Sequence, residues 1–398
     1  MQFFVKDIFK QIYTCTIVVF LGACGGGGGS STATTPTQPV SLSATVDGIM
    51  SSTMASTGVT AATVTIMHNG VVLHDKGYGF LDAAGTIPLP ASALMVTASI
   101  VKPVTASAIQ TLASNGTLAL SDHVFCTGSN TPCWLSADLL SSSTDPRVAN
   151  ITIQQLIAHE GGWDISQHGN VDFDKLESVV QSSLALSTPP AQTDDIRYWM
   201  AKPLDFTPGA RAAYTNFGYL LLGRIIAQAS NTSYLQYLQN TILRPLGVAS
   251  ADFSGAASLL ADRNPREPNY ITSIMAPSIF APGTTVICTN GAINTLNWVS
   301  ATTSITTSKA MATFAGSYLI QTNADGTDEA QDGIPLAGKT NDGFHFGNYP
   351  GTSAIIRQLP SGVSYAVLMN KSNETGSVGY QGSLMTSIDA AIAAAGLY

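Results

Sequence analysis

Charge is scarce in this chain. Of 398 residues, 17 are Lys or Arg and 25 are Asp or Glu, 11% in all, and the net charge is −8. Without a basic run, the surface has no electrostatic footprint for nucleic acid. Cysteine is also sparse. Of the five, Cys15 and Cys24 fall in the first 24 residues, and Cys126, Cys133 and Cys288 lack zinc-site spacing. His159-Glu160 begins like a zinc-binding H-E-x-x-H, but Trp163 stands where the second His is needed. No metal and no cofactor is therefore expected. Long apolar runs are missing too. Ile12 to Ala23 is about 12 residues, where a bilayer-spanning helix needs ~20.

What is present is a chain that is 45% hydrophobic, enough at this length for a large core. Residues 1–24 read as an export signal. Lys6 and Lys10 precede the apolar stretch, which ends in Leu21-Gly22-Ala23-Cys24. That tetrapeptide resembles the bacterial lipobox, so Cys24 is the expected lipidation site and a lipid anchor the expected membrane attachment. Residues 25–41 follow as a Gly/Ser/Thr-rich linker with no apolar surface to bury. Gly25, where Asp resembles an inner-membrane retention signal, points to a periplasm-facing outer-membrane location. Export places Cys126 and Cys133 in an oxidising compartment, where a local disulfide is expected. Cys288 is then left as a buried thiol.

The domain proper is 42–398, expected to act as a monomer. Ala62 to His68 and Val71 to Gly79 flank Asn69-Gly70, a tight hairpin signal. Ser99 to Asn115 turns helical, as do Thr152 to Ala158 and Phe217 to Ala229. The chain then returns to strands: Phe344 to Gly347, a turn at Asn348 to Gly351, Thr352 to Gln358, and Ser364 to Asn370. A last helix is expected over Leu384 to Ala395. Strands at both ends and a mostly helical insertion at about 127–300 make an α+β fold, with one antiparallel sheet built from the two chain ends.

Three short motifs carry chemistry. Ser99-Ile100-Val101-Lys102 places a hydroxyl and an amine on one helix face. A serine hydroxyl needs a base, and burial can turn lysine into one. Tyr214-Thr215-Asn216 offers a phenol for proton relay and an amide that both donates and accepts. His345-Phe346-Gly347-Asn348 lies on a strand whose glycine lets backbone approach a ligand, with His345 able to bind a carboxylate or move a proton. Gly351-Thr352-Ser353 is not a nucleophile elbow, because Ile355 replaces the final Gly and the setting is a strand.

In this order the three motifs resemble the serine β-lactamase and penicillin-binding-protein superfamily. The stretch Ile151 to His159 resembles the helix before that family's His-Thr-Ser-Gly loop, although here Glu160-Gly161-Gly162 follows. The resemblance implies a β-lactamase/DD-peptidase-like fold and an acyl-enzyme at Ser99, with Lys102 and Tyr214 moving its proton. It implies Asn216 holding the acyl side-chain amide, and backbone N–H groups of Ser99 and Asn348 forming the oxyanion hole, beside Gly347. His345 stands where many β-lactamases have Lys; the alternative Lys339-Thr340 is followed by Asn341 rather than Gly. The expected function is an envelope serine hydrolase acting on an ester or a D-amino-acid peptide, with a small-molecule or peptidoglycan-derived substrate. The alternatives are a β-lactamase, and a non-catalytic peptidoglycan- or partner-binding protein.

Overall fold

The computed structural model describes residues 41–128, 130–141, 144–169, 171–321, 329–373 and 379–398. The expected export segment with Cys24, and the expected linker up to residue 40, lie outside them. The first element, α1 (Leu42–Thr57), starts where the Ser41 side chain accepts the Ala44 N–H and stops at Gly58, φ 72°. Its sequence does not announce it, because only Val46 and Met50 are buried and no apolar stripe forms. Next comes the expected hairpin, β1 (Ala61–His68) and β2 (Val71–Gly79). Asn69 and Gly70 take φ of 49° and 80°, the left-handed pair that matches strand twist.

A short strand β3 (Met95–Val96) leads into a 3-10 turn, Ala98–Val101, and then α2 (Lys102–Ser114). Strands β4 (His123–Phe125) and β5 (Cys133–Leu135) pair in parallel, and Cys126 is disulfide-bonded to Cys133. The middle of the chain holds α3 (Ile153–Ile157), α4 (Glu177–Ser183), α5 (Gln192–Met200), α6 (Asn216–Ser230) and α7 (Tyr234–Tyr237). It is less helical than expected. Strands β6 (Phe253–Gly255), β7 (Met275–Pro277) and β8 (Thr285–Ile287) interrupt it before β9 (Ser304–Thr306) and α8 (Ser308–Ala315). The chain closes with β10 (Gly343–Tyr349), β11 (Thr352–Gln358), β12 (Val363–Met369) and α9 (Gly379–Ala394). The expected turn at Asn348 to Gly351 shortens to Pro350-Gly351, because Asn348 and Tyr349 still pair with Ser353 and Thr352.

The main sheet runs β10-β11-β12-β1-β2, antiparallel throughout, so strands from both chain ends meet at β12 and β1. Alternation along β12 assigns its two faces. Tyr365, Val367 and Met369 pack with Val46 and Met50 of α1 and Leu384, Ile388 and Ile392 of α9. Ala366 and Leu368 face the larger core with Met311 and Phe314 of α8 and Ile100 and Val104 beside Ser99. The outer edge of β10 is thereby set against the turn that carries Ser99.

One acidic pair is buried in the middle of the chain. Glu177 Oε1 accepts from Trp298 Nε1 at 2.8 Å and from Asn297 Nδ2 at 3.0 Å, while Asp195 Oδ2 accepts from the same Asn297 amide at 2.9 Å. Burial pushes both carboxyls up, and the neighbouring Glu177 charge raises Asp195 further. Cys288, expected to be buried, is half-buried and outside any disulfide, because β8 and its hairpin partner lie near the surface.

Candidate active site

Ser99 sits in the 3-10 turn just before α2, and the residue before it, Ala98, is held at φ 47°. That left-handed conformation is unfavourable for alanine and persists only where packing imposes it. Ala98 is fully buried against Ala292, Ile293 and Tyr349. Ser99 itself is 9% exposed, whereas Lys102 is completely buried.

The structure brings the first two motifs together. Ser99 Oγ lies 2.5 Å from the Tyr214 hydroxyl and 3.1 Å from Lys102 Nζ. Lys102 Nζ also donates to Asn216 Oδ1 at 2.7 Å and to the Ala301 carbonyl at 3.0 Å, which occupies all three ammonium donors. Its charge lies 4.7 Å from the centre of the Tyr214 ring and 5.5 Å from that of Tyr219. Burial lowers the Lys102 amine from its ordinary 10.5 to about 8, against the opposing pull of Glu329, Asp172 and Asp174. The Tyr214 hydroxyl moves the other way. Burial, then the Glu329 charge, pushes it well above 10. The resting pair is thus an acidified lysine beside a neutral phenol.

Local sequence explains the placement of Tyr214. Thr215 caps α6, its side chain accepting the Phe217 N–H. Asp172 reinforces the cap, accepting from the Asn216 N–H at 2.8 Å and the Thr215 hydroxyl at 3.2 Å. Asn216 Nδ2 donates to Asp174 at 3.2 Å. The Asn216 amide, expected to hold an acyl side chain, is therefore engaged at both ends with protein groups and orients Lys102. Asp172 and Asp174 were invisible to sequence reasoning, since they come from an irregular segment with no motif around them.

The third motif is at hand but does not present its histidine. Gly347 is pressed so close to the nucleophile turn that a Cβ there would fall 2.5 Å from the Thr97 carbonyl and 3.2 Å from the Ser99 nitrogen. Asn348 is exposed, its amide donating to the Asn373 carbonyl at 3.4 Å. His345 is 2% exposed, with Nδ1 on the Phe346 carbonyl at 2.8 Å and Nε2 on Glu329 at 2.7 Å. The expectation that this ring meets a substrate carboxylate is corrected. It faces inward on β10, and both nitrogens are bonded to protein. Lys339 is exposed and precedes β10, so the strand beside Ser99 carries His345 and not Lys339. Glu160 is half-buried in the turn after α3, its carbonyl accepting the Gly209 N–H at 2.9 Å. Among the described residues no group of His, Cys, Asp and Glu has the arrangement of a metal site.

The family model described as Beta-lactamase matches residues 46–389, from α1 to α9. The chain belongs to the Beta-lactamase family. Protein flp of Staphylococcus aureus (strain N315) is 28% identical over 209 residues, which is 52% of this chain and 38% of that protein. Beta-lactamase-like protein 2 of Dictyostelium discoideum is 26% identical over 214 residues, 52% of this chain and 35% of its own. The chain therefore spans well under half the length of these curated relatives. Among solved structures, D-amino acid amidase from Ochrobactrum anthropi SV3 with D-phenylalanine has TM-score 0.63 at 17% identity, covering 88% of this chain and 99% of that one. The octameric penicillin-binding protein homologue from Pyrococcus abyssi has TM-score 0.60 at 20% identity, with coverage of 88% and 77%. A β-lactamase/D-alanine carboxypeptidase from Yersinia pestis has TM-score 0.60 at 17% identity, with coverage of 88% and 98%. These likenesses give this Beta-lactamase family member the α+β fold expected from its terminal strands.

Proposed function

We propose that this Beta-lactamase family protein is a serine hydrolase that works through an acyl-Ser99 intermediate on a carboxylic ester or a D-amino-acid peptide or amide. The observation that carries the reading is the Ser99 hydroxyl, 2.5 Å from Tyr214 and 3.1 Å from Lys102. In the fraction of molecules whose Lys102 is neutral, the amine takes the Ser99 proton as Oγ attacks the carbonyl carbon. The Ser99 N–H and the β10 backbone at Asn348 receive the oxyanion. Tyr214 passes a proton to the leaving group, and water then attacks the acyl-enzyme by the reverse path. Opposite shifts on the two groups favour Lys102 as base and Tyr214 as relay.

A cavity of about 340 Å³ adjoins the end of β10, lined by Val171, Ile274, Met275, Ile293 and Tyr349, with Asn348 on its wall. Its size suits a small apolar group of the substrate. The wall shared with Ala98 sets that group next to the reacting carbonyl. The names of the structural neighbours, an amidase and a carboxypeptidase, agree with this class of acyl transfer. Anchoring of the domain to the envelope through Cys24 is part of the same proposal, on the strength of the lipobox.

A fluorophosphonate probe is expected to label the wild type and not Ser99→Ala. A folded wild type that takes no label refutes the reading. Family membership also favours a second reading, a β-lactamase. Nitrocefin turnover well above that of a p-nitrophenyl ester would select it.

A further inference from the structure

Glu329 belongs to none of the three motifs, yet two walls of the site meet on it. It is wholly buried. One carboxylate oxygen lies 2.7 Å from His345 Nε2 on β10, and the other 3.2 Å from His159 Nε2 in the turn after α3. His345 faces two acceptors, the Phe346 carbonyl at 2.8 Å and the Glu329 carboxylate at 2.7 Å. His159 Nδ1 accepts the Thr215 N–H at 3.4 Å, and its Nε2 stands at ion-pair distance, 3.2 Å, from the second carboxylate oxygen of Glu329.

A line of polar contacts results, hydrogen-bonded at both ends and bridged by the Glu329–His159 ion-pair contact. It runs from the Phe346 carbonyl through His345, Glu329 and His159 to the backbone of Thr215. One end is the strand that presses Gly347 against Ser99. The other end is the residue after Tyr214. The His159 ring also lies against Tyr214, tilted by 35° with centroids 4.6 Å apart, and against Tyr219 at 5.2 Å and 39°. Burial alone would push the Glu329 carboxyl up; the two imidazoles outweigh it and hold it well below the usual carboxylate range.

We propose that Glu329 is a positioning residue that ties β10 to the His159 turn and so sets the spacing of Ser99, Tyr214 and the oxyanion strand. It touches neither substrate nor Ser99. Its effect is geometric: a buried carboxylate hydrogen-bonded to β10 and set at ion-pair distance from the His159 turn restrains the separation of the two elements. The inference rests on the hydrolase reading for its consequence in rate, but the coupling between the two walls can be measured without turnover.

The test compares wild type, Glu329→Gln and Glu329→Asp by hydrogen exchange and by ester kinetics. In Glu329→Gln, exchange is expected to rise in both 343–349 and 158–163, with kcat down roughly ten- to a hundredfold and KM within about threefold. Glu329→Asp, which keeps the charge, recovers part of the rate. Exchange that stays unchanged, or rises in one segment only, overturns the proposal, as does an unaltered kcat. Should Glu329→Gln fail to fold, His159→Asn keeps an acceptor for the Thr215 N–H and removes the atom facing Glu329. Its β10 exchange must then rise, and unchanged exchange overturns the proposal. If the wild type turns over no ester while the two segments loosen together, the hydrolase reading falls and the coupling stands.

Discussion

The lysine that would activate Ser99 makes a quantitative prediction. Lys102 is completely buried and titrates at about 8 rather than 10.5. If its neutral form is the base, about a tenth of the enzyme is active one pH unit below that value and about a hundredth two units below. kcat/KM for a p-nitrophenyl ester should therefore climb about tenfold per unit and level off above about pH 8. A flat profile, or a limb near the ordinary lysine value, refutes the argument. The same shift acts on stability. The unfolded chain keeps the lysine proton up to about 10.5 while the folded protein releases it near 8, so the unfolded state binds more protons in that window. Stability from this group thus rises with pH between the two values. Below them burial of the charge costs about 3 kcal/mol. Urea unfolding of wild type and Lys102→Met, compared between about pH 7 and 10.5, should show the wild type gaining roughly 2–3 kcal/mol on the variant. No relative gain would mean that the buried amine is not strained by its charge.

Tyr214→Phe keeps the ring packed on His159 and removes the hydroxyl 2.5 Å from Ser99; kcat should fall about 10²- to 10⁴-fold with little change in melting temperature. Gly347→Ala drives a methyl group to 2.5 Å from the Thr97 carbonyl, so fluorophosphonate labelling should slow at least about tenfold while circular dichroism is retained. Asp195→Asn replaces one raised carboxyl of the buried acidic pair with a neutral amide. Both carboxyls are raised in the folded state, so wild-type stability falls as pH rises from about 4 through those raised values, and the variant should lose less by about pH 9 in the same unfolding assay.

Sequence reasoning reached furthest where local chemistry decides conformation. Asn69-Gly70 named its turn because both residues tolerate a left-handed backbone. Thr352 to Gln358 was read to the residue, since a buried strand bounded by Gly and Pro leaves little choice. The Ser-x-x-K and Tyr-x-Asn motifs were legible because few residue types can make a hydroxyl nucleophilic. The environment of those motifs was not. Asp172, Asp174 and Glu329 reach the site from irregular segments, and only tertiary packing brings them there. His345 illustrates the same limit. Its place on β10 was clear, but not that its ring turns inward to Glu329. Helix α1 escaped for a different reason, its apolar residues being spread too evenly around its axis.

Ala62 pairs with Met369, and β10 seals the nucleophile turn only after the chain has reached Tyr349. During synthesis this separates making the serine from arming it. At ~5–20 residues per second, the interval between Ser99 and the end of β10 is roughly 10–50 s. Throughout that time the growing chain carries Ser99, Lys102 and, later, Tyr214 without the wall that completes their site. A fragment ending before Gly343 should therefore contain Ser99, Lys102 and Tyr214 and yet take no fluorophosphonate label.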